Sequence, residues 1–227
     1  MKLGIFQIYF KPDQVIRLDP AFIPVSNYGN TDTHLREWPI IANGVELAKQ
    51  HDLDVWGFTS YKFNEKTNLI GKHFTDFIQD NADSGVWFME PHARPRVPWL
   101  NGWHQGQIYH PGIMPLAQTV LKKIGYKTDI STQQMPSCWY NYFAFNRATW
   151  NLFLKTMSDI EEVCKADGNL YNQMYVNSAG YEPALDVPFF IFFLERFVTT
   201  FLTENGLKYK VLNYNNKDFI FAQSSMT

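Results

Sequence analysis

The segment from Glu90 to Gly112 carries the densest group of side chains able to bind a ligand or move a proton. It is irregular and rich in Pro, and it holds imidazole, guanidinium and indole groups at His92, Arg94, Arg96, Trp99, Trp103, His104 and His110. Structureless connections longer than about 12–15 residues inside compact domains are usually binding loops or lids. The sequence therefore predicts that part of an active site lies in this segment.

Several common catalytic signatures do not occur in the sequence. It has no G-x-G-x-x-G after the first predicted strand and no G-x-x-x-x-G-K-[ST], which disfavours dinucleotide dehydrogenases and P-loop enzymes. It also has no G-x-S-x-G and no H-E-x-x-H, the commonest hydrolase signatures. An enzyme that binds a diphosphate without such loops neutralises it with a divalent metal or with Arg and Lys.

The apolar patterns predict strands that alternate with helices. Strands are predicted at 3–9, 22–25, 55–58 and 86–89, and helices at 45–51, 74–78 and 116–124, the last entered through Pro115 and stopped by Gly125. The C-terminal third predicts an aromatic strand at 138–145, a helix at 147–164 capped by Asn146, and a helix from about 188 that ends at Gly206. This alternation favours an α/β fold with a mainly parallel sheet covered on both faces.

Composition limits the class of protein. The chain has 227 residues, enough for one α/β domain, and its net charge of −2 argues against a nucleic-acid partner. No secretory signal is recognised at the start and the longest apolar run, 187–194, is too short for a transmembrane segment, so a cytoplasmic protein is expected. Cys138 and Cys164 are not spaced as metal ligands and are expected to be free thiols. Aromatic residues form 17% of the chain, and either a ligand surface or an aromatic core explains that excess.

Eight short motifs in a fixed order resemble those of one family. They are F-Q-I-Y, L-D-P-A-F-I-P-V-S-N, H-L-R-E-W, W-G-F-T-S-Y-K-F-N-E-K-T, V-W-F-M-E-P, W-H-Q-G-Q-I-Y-H-P-G, S-C-W-Y-N-Y-F-A-F and F-L-E-R-F. Together they resemble a family of GT-A-type glycosyltransferases found in bacterial capsule and O-antigen clusters and in large algal-virus glycosylation proteins. The resemblance covers nearly the whole chain and implies a single glycosyltransferase domain of GT-A-like fold. It also implies a nucleotide-sugar over the C-terminal edge of the sheet, with Mn²⁺ or Mg²⁺ bridging the diphosphate.

The chain departs from the family at the expected metal position. Similar sequences read D-V-Y-F-F-N-P there, whereas this chain reads G-V-W-F-M-E-P-H, with Gly85 in place of the aligned Asp. Glu90 and His92 stand at the end of the predicted strand, and Asp83 lies upstream. One carboxylate with one imidazole suits Mn²⁺ better than Mg²⁺. Metal binding by Glu90 and His92 is the prediction, and Asp83 is the next candidate if Glu90 does not bind the metal; an ordinary loop carboxylate is the alternative role of Glu90.

Polar residues after the early strands are candidates for binding a UDP-sugar. Gln7 and Tyr9 offer an amide partner and a stacking surface for a uracil ring, because ligands of open α/β sheets lie beyond the carboxyl ends of the strands. The further candidates are two cations and two hydroxyl groups: Arg36, Lys62, Thr59 and Ser60. The alternative for each of these residues is an ordinary place on a solvated surface or at a sheet edge, without a role in ligand binding.

Two carboxylates in the C-terminal third are candidates for the base that an inverting transferase requires. Asp186 precedes Pro188 at a predicted helix start, so helix capping is its alternative role. Glu195 stands beside Arg196 in an apolar helix, which fits either a buried ion pair or a ligand contact. Asp186 is the preferred base. A retaining transferase needs little beyond stabilisation of the leaving group.

Two other functions remain open from the sequence. A metal-dependent hydrolase or phosphotransferase would use the histidines between His92 and His110 as a ligand cluster, although their spacing is irregular. A non-catalytic carbohydrate-binding module would use exposed Trp and Tyr rings. Binding of UDP separates a glycosyltransferase from such a module.

Overall fold

The computed structural model of the chain describes residues 1–30, 33–91, 99–180 and 187–214. Within them one sheet contains the strands β1 (Leu3–Tyr9), β2 (Ile23–Ser26), β3 (Val55–Ser60), β4 (Val86–Pro91), β5 (Phe143–Asn146) and β6 (Lys210–Tyr214). They lie side by side in the order β2-β1-β3-β5-β4-β6. Strand β5 runs antiparallel to both of its neighbours, while the other pairs are parallel.

The helices between these strands lie on both faces of the sheet. They are α1 (Trp38–Ala42), α2 (Gly44–Gln50), α3 (Phe63–Thr67), α4 (Gly71–Asp80), α5 (Gly102–Tyr109), α6 (Ile113–Lys123), α7 (Arg147–Lys165), α8 (Gly168–Tyr171) and α9 (Phe189–Glu204). Short 3-10 turns at Pro12–Arg17 and Thr33–Leu35 and a π-turn at Asn172–Val176 complete the described elements. No helix in these ranges combines the length and apolarity needed to cross a bilayer.

Successive side chains of the strands point to opposite faces of the sheet and pack in two core layers. Phe6, Phe58 and Phe143 enter the larger layer together with residues of α6, α7 and α9. Their neighbours Ile5 and Val55 point to the other face and pack in a smaller layer that includes residues of α3 and α4. Both faces of the sheet are thus buried, which explains why the strands read as nearly continuous apolar runs. The predicted α/β fold with a mainly parallel, helix-covered sheet is confirmed.

The strand directions bring several loops to one edge of the sheet. Strands β1, β2 and β3 end together at this carboxyl edge, because Tyr9 pairs with Ser26 and Ile8 pairs with Ser60. Strand β5 begins there, since its first residue, Phe143, lies opposite Phe58. The segments after β2 and β3 and the segment before β5 therefore meet at the same place.

Local sequence signals predicted several boundaries correctly. Strand β1 has the predicted limits, and helix α7 begins after Asn146, whose side-chain oxygen accepts a hydrogen bond from the Thr149 N–H at 2.9 Å. Gly125 and Gly206, which follow α6 and α9, have the left-handed φ values of 88° and 58° that a helix terminator requires. Helix α6 begins at Ile113, so that Pro115 lies inside its first turn rather than before it.

Two predictions were wrong, namely that the whole of segment 90–112 lacks regular structure and that the aromatic strand begins at residue 138. The segment 90–112 is not structureless, because Asn101 caps helix α5 by accepting hydrogen bonds from the N–H groups of Trp103 and His104. The aromatic strand is shorter than predicted, since left-handed φ angles at Tyr140 and Asn141 form a turn before β5 begins. Strand β6 was not predicted, and residues 92–98 of the predicted binding loop lie outside the described residues.

Candidate functional site

A cavity of about 460 Å³ lies at the carboxyl edge of the sheet. It is lined by cations, carboxylates and aromatic rings: Arg36, Lys66 and Arg196; Glu37 and Glu195; Tyr109, His110, Trp139, Tyr140 and Phe192, with Gln105, Val187 and Ile191. The lining comes from the segment after β2, from α3 after β3, from the turn before β5, and from α5 and α9. Its size is that of a pocket for a small organic ligand.

The wall formed by Arg36 and Glu37 is attached to the sheet through Asn27. The main-chain N–H of Asn27 donates to the carbonyl of Tyr9 at 2.7 Å, and its side-chain N–H donates to the carbonyl of Arg36 at 2.7 Å. Arg36 has a left-handed φ of 50°, which turns the chain just before α1. The Glu37 carbonyl then accepts hydrogen bonds from the N–H groups of Ile40 and Ile41. These bonds fix the position of Glu37 at the end of β1.

The electrostatic environment of Glu37 favours its neutral form. Burial raises the pKa of the Glu37 carboxyl, a hydrogen bond from its own main-chain N–H opposes that shift, and the Glu195 carboxylate raises the pKa further. Lys66 and Arg36 lower the pKa by smaller amounts, so the net direction is upward. The cavity thus contains a carboxyl group that changes charge at a higher pH than an exposed glutamate.

The opposite wall is held by Arg196, whose side chain is only 5% exposed. Its guanidinium donates to the carbonyls of Gly102 at 3.0 Å and Phe192 at 2.7 Å and to the side-chain oxygen of Gln105 at 2.5 Å. It also donates to the Glu195 carboxylate at 3.4 Å, and that carboxylate is 28% exposed. Arg196 therefore joins α9 to α5 and places a paired carboxylate on the cavity wall.

His110 forms an uncharged part of the wall. Its ring stacks on Phe192 with 3.6 Å between the ring centroids. Burial and the positive charge of Arg196 lower the pKa of His110 to about 4, although a hydrogen bond involving Ala179 raises it. The imidazole is consequently neutral near pH 7 and adds no charge to the cavity.

A tight turn presents two aromatic rings to the cavity. Tyr140 and Asn141 occupy its central positions with φ values of 62° and 58°, and the Tyr142 N–H donates to the Trp139 carbonyl at 3.3 Å. Positive φ at both central positions is the pattern of a type I′ turn, which is unfavourable for a residue as bulky as Tyr. The Lys66 ammonium lies 3.7 Å from the centroid of the Tyr140 ring, within cation–π distance. The turn therefore holds a strained aromatic residue beside a cation.

The residues proposed to bind the nucleotide occupy different environments. Arg36 lines the cavity. Gln7 is fully buried: its amide N–H donates to the Ser60 carbonyl at 3.1 Å, and its amide oxygen accepts from the Asp19 N–H at 2.7 Å. The Thr59 side chain is buried, and its hydroxyl has no partner among the described residues.

Three further members of this group lie at the carboxyl edge without lining the cavity. The Tyr9 ring is partly buried at the end of β1. The Ser60 hydroxyl shares a hydrogen bond of 2.7 Å with the hydroxyl of Tyr142. Lys62 lies near the ring of Tyr61, whereas Lys66, one helical turn later, lines the cavity.

Two of the candidate metal ligands, Glu90 and Asp83, lie at opposite ends of β4. Glu90 lies at the carboxyl end of β4, is 7% exposed, and accepts a hydrogen bond from the Ser137 N–H at 2.8 Å. Asp83 precedes the other end of β4, is exposed, and lies 3.8 Å from the Lys210 ammonium. A strand advances about 3.3 Å per residue, so Asp83 and Glu90 cannot bind the same ion.

His92, the partner proposed for Glu90, lies outside the described residues. Within the described ranges no three His, Cys, Asp or Glu side chains are grouped as metal ligands. His104 instead forms a hydrogen bond of 2.9 Å with the Ser131 carbonyl. The described residues by themselves therefore do not form a metal site.

Of the two carboxylates predicted as candidate bases, Glu195 is described by the structure and Asp186 is not. Asp186 lies outside the described residues, and helix α9 starts after Pro188. Glu195 lies on the cavity wall and pairs with Arg196. The sequence predicted either an ion pair or a ligand-facing position for Glu195, and the structure shows both. Glu37, Lys66 and Tyr140 were not singled out from the sequence. A signal for Glu37 was its place in H-L-R-E-W beside Arg36, a residue that was already a candidate.

The chain is similar in fold to proteins of known structure. No protein-family model matches the sequence, and no curated protein matches it. One of the similar structures is that of WbbM, described as a bifunctional glycosyltransferase in its apo form, with a TM-score of 0.49 and 12% sequence identity. The match covers 95% of this chain and 45% of WbbM, so this chain spans less than half the length of that protein.

Proposed function

We propose that this chain is a glycosyltransferase that moves a sugar from a nucleotide-sugar, in the first instance a UDP-sugar, to a carbohydrate acceptor in glycan biosynthesis. The observation that carries the proposal is the composition of the cavity. Arg36 and Lys66 bring positive charge, Glu37 and Glu195 bring carboxylates, and the turn at Trp139 and Tyr140 brings aromatic rings. Inverting transfer from a nucleotide-sugar uses cations for the leaving diphosphate and a carboxylate as base, and aromatic rings bind the apolar faces of sugars.

Each kind of group has a role in this proposal. Arg36 and Lys66 bind the diphosphate and stabilise its charge as it leaves. The rings of Tyr109, Trp139 and Tyr140 pack against the apolar faces of the sugars or the base. The position of the cavity supports a nucleotide ligand, because open α/β sheets bind ligands beyond the carboxyl ends of their strands. Gln7 takes no part, since its amide is buried within the fold.

Ligand-dependent melting tests the proposal. A ligand that binds only the folded state at 100 times its Kd adds about 2.7 kcal/mol of stability. For a domain of this size that addition corresponds to a rise in Tm of roughly 5–11 °C. We expect UDP or a UDP-sugar to produce such a rise. The titration is run with and without Mn²⁺, because metal binding by Glu90 and His92 stays a prediction.

Matched variants locate the nucleotide in the cavity. Arg36→Ala and Lys66→Ala should each weaken UDP binding by roughly 10-fold or more, since hydrogen bonds to charged groups contribute about 1.5–3 kcal/mol. Lys72→Ala is the control: Lys72 is exposed on α4 and pairs with Asp76.

The proposal fails if no nucleoside diphosphate raises the Tm either with or without Mn²⁺. Binding of sugars without diphosphates would indicate a carbohydrate-binding module, and turnover of phosphate esters would indicate a hydrolase.

A further inference from the structure

The two carboxylates of the cavity differ in their partners. Glu195 is paired with the Arg196 guanidinium at 3.4 Å. Glu37 makes no ion pair with any of the described residues. Its carboxylate accepts a hydrogen bond from its own main-chain N–H. An ion pair holds a carboxylate in its charged form, whereas burial without a pair favours the protonated form. Among the described residues, Glu37 therefore differs from Glu195 in having no cation paired with its carboxylate.

We propose that Glu37 is the catalytic base of this site, the group that removes the proton from the attacking hydroxyl of the carbohydrate acceptor. This inference rests on the glycosyltransferase function proposed above. Glu37 lines the same cavity as Arg36 and Lys66, the groups assigned to the diphosphate, so its carboxylate is open to a ligand bound there. The main chain at this position is held by the hydrogen bond from Asn27 to the Arg36 carbonyl and by the first turn of α1.

The reaction is a direct displacement. The acceptor O–H proton moves to a carboxylate oxygen of Glu37 while the acceptor oxygen forms a bond to the anomeric carbon of the donor. The bond from that carbon to the diphosphate oxygen breaks, and its electron pair leaves with the diphosphate, whose added charge faces Arg36 and Lys66. The products are an inverted glycoside, a nucleoside diphosphate and protonated Glu37, which then releases its proton to solvent.

The charged groups around Glu37 fit this role. Lys66 from α3 and the adjacent Arg36 favour the carboxylate, whereas Glu195 from α9 disfavours it. The Glu195 carboxylate, which is paired with Arg196 and partly exposed, is able to accept hydrogen bonds from sugar hydroxyls. A base is most effective when its pKa approaches the working pH, and the pKa of Glu37 is shifted upward. The rate should therefore fall on the acid side as Glu37 becomes protonated.

Glu37→Gln tests the inference in the full chain. It keeps the size of the side chain and removes the proton acceptor, so we expect kcat to fall by roughly 10²–10⁴ while UDP affinity stays within about threefold of wild type. Its Tm should be equal or higher, because the variant no longer buries an unpaired charge. A purely structural Glu37 would instead lower the Tm. Glu46→Gln, an exposed glutamate that pairs with Lys49 on α2, is the matched control and should behave as wild type.

The pH profile and chemical rescue provide independent readouts. The acid limb of kcat/KM should shift or disappear in Glu37→Gln but persist in Glu37→Asp, which retains a carboxylate. Azide or formate should restore part of the rate of Glu37→Ala. The inference is overturned if wild type transfers sugar and Glu37→Gln does so within threefold of its rate, or if a folded Glu37→Asp is no more active than Glu37→Gln. Absence of nucleoside diphosphate binding by wild type is a different result, since it overturns the proposed function itself.

Discussion

At the scale of single residues, Asp19 organises much of the carboxyl edge. Its carboxylate accepts hydrogen bonds from the Gly71 N–H at 2.7 Å, the Asn64 side chain at 2.6 Å and the Ala21 N–H at 3.0 Å. Burial raises the pKa of Asp19, but these hydrogen bonds outweigh that effect and the net pKa is lowered. Asp19 thereby joins the segment after β1 to α3 and α4, the helices that follow β3.

We predict a pH-dependent contribution of Asp19 to stability. Because its folded-state pKa lies below the ordinary value of 3.8, the contribution is present above that value and is lost as the pH falls through the folded pKa. At pH 7, Asp19→Asn should cost about 2 kcal/mol, since it places an amide against groups that donate to the carboxylate. Denaturant unfolding of wild type and variant should converge as the pH falls below 3.8.

The control for this prediction is Asp76→Asn. Asp76 is partly exposed on α4 and pairs with Lys72, so its loss should change stability by less than about 1 kcal/mol. An Asp19→Asn variant as stable as wild type at pH 7 would show that the buried carboxylate does not hold these segments together.

At the scale of secondary-structure elements, the contact between α5 and α9 depends on glycine. Gly106 on α5 leaves space for the Arg196 guanidinium, and a Cβ atom at Gly106 would overlap its Nε atom. Arg196 also donates to the carbonyl of Gly102 on the same helix. The close approach of the two helices therefore places Arg196, and with it Glu195, at the cavity wall.

Gly106→Ala should be destabilising, although helix propensity alone favours Ala over Gly by about 1 kcal/mol. Overpacking a buried site costs roughly 1–3 kcal/mol, and displacing Arg196 also breaks its buried hydrogen bonds. We expect a net loss of about 1–3 kcal/mol in chemical denaturation, together with lower transfer activity because Glu195 loses its partner. Gly168→Ala is the control, since a Cβ atom there meets open space. Equal stability of the two variants would contradict the packing argument.

At the scale of the whole molecule, the aromatic residues divide into two groups. Trp56, Trp87, Trp103 and Trp150 are fully buried, and most other large buried side chains are Phe and Tyr. A second, smaller group lines the cavity and includes Trp139, Tyr140 and Tyr109. The aromatic excess in the composition thus serves mainly the core, and a minority of the rings form a ligand-facing surface.

A pair of substitutions separates these groups. Trp150→Ala should cost about 3–5 kcal/mol, because it creates a cavity and removes the hydrogen bond of 2.8 Å from the indole N–H to the Trp56 carbonyl. Trp139→Ala should cost less stability but weaken nucleotide-sugar or acceptor binding by roughly 2- to 10-fold, the strength of one aromatic contact. Thermal melting and calorimetry measure the two effects. A Trp139→Ala variant with unchanged ligand affinity would remove that ring from the proposed site.

The sequence by itself determined the features that depend on neighbouring residues. The limits of β1, the Asn146 cap of α7 and the glycines that end α6 and α9 follow from periodicity, capping and backbone freedom, which act over a few residues. Arg36 and Glu195 were recognised as candidates because each is a charged residue beside an apolar element. The class of fold followed from the alternation of these local patterns.

Only the tertiary structure decided which of these residues meet. The antiparallel insertion of β5, the pairing of β6 with β4 and the packing of α5 on α9 depend on contacts between segments far apart in the chain. Such contacts form between whole elements, so they cannot be recognised from a short stretch of neighbouring residues. Glu37 became the candidate base because folding brings it close to Glu195 and Lys66 and buries part of its surface. Burial and the charges that surround a carboxylate are properties of the folded chain, and they decide its protonation.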